Sequence, residues 1–238
     1  MLVDIFSSFD DHNSVFLGSL FFLLWLGGFS SLFLVSLSYW ISSNRWMALF
    51  AMLKSIVNSL VSVSTGVKLV HFKLVISTLF VFILFINLCG LIPYMFGNSS
   101  HLAVTLVLSI PLWLSMVGSS FFRGMRVTLG NFLPSGSPVA LSPFLILVET
   151  ISVVIRPFIL ALRLAANMTA GHIVLSLIGG FFASSMVLGS SSMYVLGSVE
   201  IFYHMFEFGV GCIQAYIFIL LVVLYSNDHV ISYYFTRF

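Results

Sequence analysis

VALSPFLILVETISVVIRPFILALRLAANMTAGHIVLSLIGGFFA, residues 139–183, is apolar or small almost throughout, yet it carries Glu149, Arg156, Arg163 and His172. As one helix rising 1.5 Å per residue it would be about 67 Å long, twice the roughly 30 Å hydrocarbon thickness of a bilayer. It has to tilt steeply or break. Pro157 can kink it, but no Gly or Asn turn cluster in its middle allows two antiparallel spans. The reading is therefore one long, strongly tilted membrane helix. After it, GGFFASSMVLGSSS at 179–192 supplies small and polar turn residues around 188, and a second long apolar run follows at 193–226. The two runs are expected to form a tilted hairpin.

The rest of the chain sets the context for that hairpin. Of 238 residues, 60% are hydrophobic and only 7% charged, too little polar surface to cover a soluble domain. The chain reads as an all-α integral membrane protein, a single membrane domain over 1–238. The uncharged runs 15–41, 74–97 and 102–122 are long enough for three ordinary spans. The acidic start, with Asp4, Asp10 and Asp11 and no Lys or Arg, is unlike a secretory signal, so the first run is expected to be a retained span. Between the first two spans, Trp46, Leu49, Phe50, Leu53, Val57 and Leu60 recur at helical spacing opposite Lys54, Ser55 and Asn58. This pattern predicts an interfacial amphipathic helix over 46–63.

Basic residues give the orientation. Arg45, Lys54, Lys68 and Lys73 lie between spans one and two, and Arg123 and Arg126 follow span three. Those loops are expected on the side of synthesis and the acidic N-terminus on the other. Five crossings then return the C-terminus, with Arg237, to the basic side. The connection GNSSH at 97–101 carries no Lys or Arg, as the opposite side requires; its Asn98 fits a glycosylation sequon only formally. Cys89 and Cys212 fall inside apolar segments without disulfide or metal spacing, so packing is their expected role and no metal site or cofactor is expected. His12, His71, His101 and His229 lie near span ends or in flanking segments and read as interface residues.

Every ionisable side chain at membrane depth sits in the last two helices: Glu149, Arg156, Arg163, His172, Glu200, His204 and Glu207. A single Arg at a helix centre costs on the order of 3 kcal/mol on insertion scales, so several together require compensation or a use. Seven residues advance a helix by about 700°, which places Glu149, Arg156 and Arg163 on one stripe with Asn167 close beside it. His172, nine residues beyond Arg163, lies about 180° around and faces away. On the last helix Glu200, His204, Glu207, Gly211 and Gln214 share one face. A fold-back about residue 188 or 189 sets Arg163 opposite Gln214, His172 near Glu207, and Glu149 near Asp228.

These groups also differ in depth. Arg163 lies about 21 Å along the helix axis from Glu149, with His172 and Glu207 toward the opposite side. A guanidinium stays protonated and cannot relay protons, but it stabilises a carboxylate beside it. Titratable groups approaching a central arginine from both sides suit a gate between two proton paths.

With these residues on view, the sequence resembles subunit a of the rotary ATP synthases, in its mitochondrially encoded form. The resemblance covers nearly the whole chain and is most specific at NLCGLIPYMF (87–96), ETISVVIRPFILALRLAANMTAGH (149–172) and EFGVGCIQAYIF (207–218). It implies that Arg163 faces the essential carboxylate of a rotating ring of c subunits. It further implies that Glu207 and His172 serve an intermembrane-space half-channel and Glu149 a matrix half-channel, with Asn167 and Gln214 as polar neighbours of the arginine. The implied setting is the mitochondrial inner membrane, N-terminus in the intermembrane space and C-terminus in the matrix. The implied partners are the c-ring, the other stator and membrane subunits, and the lipid bilayer; protons are the transported species, and no nucleic acid is involved. Arg156 falls outside the family's strict motif, and its expected role is supporting or electrostatic. Glu200 and His204 are not part of the motif, and their role is open. The absence of a phosphate-binding Gly-rich loop leaves ATP chemistry to other subunits, so the chain is not expected to be an enzyme by itself.

Two other classes compete on the residues alone. A secondary transporter would bind substrate near the midplane, but the chain has no internal repeat and no pair of interrupted helices. A redox protein is prompted by the spacing of Glu200, His204 and Glu207. A di-iron bundle, however, needs matching ligands on other helices, and a haem site needs axial histidines on facing ones.

Overall fold

A computed structural model describes residues 45–64, 71–92, 97–131, 141–189 and 192–234. The expected first span, 15–41, lies outside the described residues. Among the described residues five α-helices follow one another: α1 (Arg45–Val63), α2 (Phe72–Gly90), α3 (Leu102–Asn131), α4 (Ser142–Leu188) and α5 (Ser192–Tyr234), with a 3₁₀ turn at Asn98–Ser100 before α3. No strand occurs among the described residues. Among the described residues, four stretches are long and apolar enough to cross a membrane: Phe72–Gly90, Leu102–Phe122, Ser142–Leu188 and Ser192–Asn227.

Local chemistry explains where the helices end. α2 stops at Gly90, short of the expected 97. The Leu91 and Ile92 amides close a last turn onto Leu88 and Cys89 at 3.3 and 3.2 Å, and Pro93 in the sequence disfavours helix for the residue before it. α2 begins after His71, whose φ of 64° is left-handed and whose carbonyl accepts the Leu74 and Val75 amides at 3.1 Å. α3 runs past the expected 122 to Asn131, with Pro111 inside it. α4 takes a proline into its first turn, where a missing N–H costs nothing, and it continues through Pro157 as a single helix of 47 residues. Gly189, at φ 62°, closes its C-terminus by donating to the Met186 carbonyl at 3.3 Å. A left-handed residue after the last helical turn is where glycine is least strained.

The core lies where α2 and α5 meet α1 and α4. Val57 and Val61 of α1, one turn apart, are fully buried and pack with the buried Ile76, Phe80 and Val81 of α2, Leu160 and Leu164 of α4, and Phe218 and Ile219 of α5. The helix read as interfacial therefore seats one face in the protein core. By contrast, Ile151, Ile155, Ile159 and Leu162 of α4 are exposed at helical spacing, an apolar surface that lipid or another membrane chain must cover. Helix hydroxyls are satisfied within their own turns: Ser109, Ser176 and Ser226 donate to carbonyls three residues back at 3.4, 2.8 and 2.6 Å. That local bond spares an apolar surrounding an unpaired hydroxyl.

Candidate functional site

α4 and α5 run antiparallel, and their shared contacts form a ladder of polar groups and glycines. Next to the turn, a Cβ on Gly197 would come within 3.1 Å of the Phe182 ring, and one on Gly179 within 3.6 Å of the Glu200 carboxylate. Further along, the Glu207 carboxylate rests against Gly171 so closely that a Cβ there would overlap it. Then the Asn167 amide donates to Gln214 Oε1 at 2.9 Å. At the far end the Arg156 guanidinium stacks 5.1 Å from the centre of the Tyr225 ring.

This register differs slightly from the one expected. Because α4 ends at Leu188 and α5 begins at Ser192, the hairpin centres near residue 190. Gln214 consequently bonds Asn167, one turn further along α4 than Arg163. Arg163 itself is half-buried near the middle of α4 and forms no hydrogen bond or ion pair among the described residues. Glu149 meets Arg156 two turns along its own helix at 3.5 Å; the side chain of Asp228, its expected neighbour on α5, lies outside the described residues. Among the described residues, the stripe of Glu149, Arg156 and Arg163 thus holds one internal ion pair and one cation with no acid beside it.

Glu207 is 4% exposed, and both its carboxylate oxygens are buried without a hydrogen-bond donor among the described residues. His172, the residue after Gly171, turns its imidazole the other way. Its Nε2 lies 2.9 Å from where a Cβ on Gly97 would stand and 3.8 Å from one on Gly90. The imidazole is therefore seated against the end of α2 and the 3₁₀ turn. That turn is held twice at Gly97, whose carbonyl accepts both the Ser100 amide (3.0 Å) and its hydroxyl (2.6 Å). The short GNSSH connection is packed: Asn98, Ser99 and Ser100 are all buried. A buried Asn98 also fits poorly as a glycan acceptor.

Asn87 escapes a reading of the sequence alone. It is fully buried in α2 and donates to the Gly211 carbonyl at 3.3 Å, between Glu207 and Gln214 on α5. Its signal in the sequence is that of a lone amide in the apolar run 74–97, which a membrane interior tolerates only with a partner. Glu200 and His204 are both half-buried on α5. Among the described residues no group of three His, Cys, Asp or Glu is placed to hold a metal ion, and Cys89 and Cys212 are free thiols.

Among the described residues, an all-helical arrangement with four membrane-length helices, in which Glu207, Asn167 and Gln214 meet between the two longest, is that of a polytopic membrane protein. A family model described as ATP synthase A chain matches residues 14–227. The chain is 36% identical over 234 residues to ATP synthase subunit a of Artemia franciscana, covering 96% of this chain and 100% of that protein. It is 36% identical over 237 residues to the Anopheles gambiae subunit a (96% and 99% covered). It is 37% identical over 187 residues to the ATP synthase F(0) complex subunit a of Bos taurus (79% and 83% covered). The chain belongs to the ATP synthase subunit a family.

Proposed function

We propose that this chain is the proton-conducting stator subunit of a mitochondrial ATP synthase membrane sector, with Arg163 separating two offset half-channels against a ring of c subunits. The observation that carries this reading is the state of Arg163: a guanidinium halfway along a membrane-length helix, half-buried, with no acid beside it among the described residues. An uncompensated cation at that depth costs several kcal/mol, and the cost falls when a carboxylate is brought to it. Its immediate neighbours favour an approach from outside. Leu162, Ala166 and Asn167 are exposed next to it, and small residues let another helix come close.

In this mechanism a proton reaches Glu207 from the intermembrane-space side, on a path that His172, seated toward the end of α2, also serves, and passes to a carboxylate on the ring. The neutral carboxylic acid can then move through lipid, which a carboxylate cannot. On arriving at the other side of Arg163 it gives up its proton toward Glu149 and leaves as an anion beside the guanidinium. Arg163 lies about 12 Å along the axis from Gly171 and about 21 Å from Glu149, so the two paths end at different depths. A fixed cation between them favours the ionised ring acid and blocks a direct proton leak. Asn167 and Gln214, bonded to each other, hold the α4–α5 seam closed one turn away. Orientation follows the basic loops, with the N-terminus in the intermembrane space and the C-terminus in the matrix.

The test is Arg163→Ala in the assembled complex, reconstituted in vesicles. Proton-driven ATP synthesis is expected to vanish while the complex keeps its subunit content. Normal coupled synthesis would overturn the reading.

A further inference from the structure

Resting on that reading, we infer that Glu200 and His204 extend the path that ends at Glu207, forming an outer relay along α5 between the α4–α5 turn and the buried carboxylate. Three observations support it. Glu200, His204 and Glu207 stand at i, i+4 and i+7 on one helix, so each pair of neighbours has Cβ atoms about 5–6 Å apart, a gap that one bridging water spans. Glu200 and Glu207 each lie over a glycine of α4, Gly179 and Gly171, so both carboxylates occupy the same interhelical seam. Glu200 and His204 are half-buried whereas Glu207 is 4% exposed, so accessibility falls along α5 toward the buried carboxylate.

The surroundings do not explain these two residues as a structural ion pair. Glu200 makes no hydrogen bond or ion pair among the described residues, and α4 carries no ionisable residue from 173 to 188. The titratable groups near the inner end are Glu207 and Tyr203 on α5 and His172 on α4. Two half-buried ionisable groups on a membrane-length helix, without charge partners among the described residues, need a use. A relay supplies one. The Glu200 carboxylate takes a proton from water, passes it to the His204 imidazole, and the resulting imidazolium gives it to the Glu207 carboxylate. Glu200 and His204 each return to their starting charge, and the proton rests on Glu207 until it passes to the ring carboxylate.

The experiment uses the assembled complex in vesicles, with ATP synthesis driven by an imposed proton gradient and the pH varied on the side of the α4–α5 turn. Glu200→Gln and His204→Gln are each expected to slow synthesis several-fold at high pH, where proton supply limits, and little at low pH. A small diffusible buffer, imidazole, at rising concentration on that side is expected to restore the Glu200→Gln rate, which it would not do for damaged packing. Wild-type rates in both variants at every pH, or a loss that imidazole leaves untouched, would overturn the relay. Arg163→Ala, measured in parallel, separates the two ideas: coupled synthesis in that variant refutes the parent reading, whereas its loss alongside unaffected Glu200 and His204 variants refutes the relay alone.

Discussion

The Glu207 carboxylate lies against the bare Cα of Gly171, at a contact where any β-carbon would overlap it. This places a nearly fully buried acid within the α4–α5 seam, one residue from His172, and makes the glycine a condition for the acid's position. Overpacking of this kind typically costs about 1–3 kcal/mol when the neighbour has to move. Gly171→Ala is therefore expected to lower proton-driven ATP synthesis by about tenfold or more, since about 1.4 kcal/mol is a factor of ten, in a complex that still assembles. Shortening the acid by one methylene, Glu207→Asp in the Gly171→Ala background, is expected to recover part of the rate. Synthesis rates of the single and double variants check this, and a double variant slower than both singles would contradict it.

The Gly97–His172 contact supports a second prediction. A β-carbon on Gly97 would stand 2.9 Å from Nε2 of His172, close enough to push the imidazole off its seat. Gly97→Ala is expected to mimic His172→Ala in proton-uptake rate, and the two changes combined are expected to be no worse than either alone, as for residues acting through one another. Additive losses in the double variant would show that Gly97 acts elsewhere.

Arg156 and Arg163 share a stripe but should not share a phenotype. Arg156 already has the Glu149 carboxylate at 3.5 Å and the Tyr225 ring at 5.1 Å, and a part-exposed pair of this kind is worth no more than about 1 kcal/mol. Arg156→Ala is expected to reduce synthesis several-fold without abolishing it, and Tyr225→Phe, which keeps the ring, to change little. Complete loss in Arg156→Ala with normal assembly would transfer to it the gating role proposed for Arg163.

Asn87 ties α2 to α5 through the Gly211 carbonyl at 3.3 Å while fully buried. A charge at that position would be far costlier than the loss of one hydrogen bond, about 0.5–1.5 kcal/mol. Asn87→Asp is expected to deplete the assembled complex on native gels, whereas Asn87→Leu, similar in size and without polar atoms, retains most of it. The reverse order would mean that the carboxylate finds a donor and that the amide does more than join two helices.

Much of the site is legible in the sequence because the bilayer makes polar residues conspicuous. Seven ionisable groups in two apolar runs can be phased by arithmetic on about 3.6 residues per turn, and Gly189 ends α4 close to where small residues predict a turn. The register is less accessible. Centring the hairpin near 190 moves Gln214 from Arg163 to Asn167, a shift fixed by a left-handed glycine and the start of α5 rather than by any pattern of polarity. The Glu149–Arg156 pair is a contact within one helix, because a long arginine can reach two turns along a stripe. The 3₁₀ turn at Asn98–Ser100 escapes altogether, since polar residues in a short link usually mean exposure. Its burial depends on packing beneath His172, a contact between segments far apart in the chain that composition does not encode.

The most direct measurement of the central claim is a map of the assembled complex that locates the side chain of this polypeptide nearest the ring's membrane-embedded carboxylate. The account predicts the Arg163 guanidinium, within the roughly 4–6 Å over which an opposite charge favours the ionised form, at the closest approach of α4 to the ring. A guanidinium turned into the headgroups, or closed by an acid of its own chain with no ring helix in reach, would contradict it.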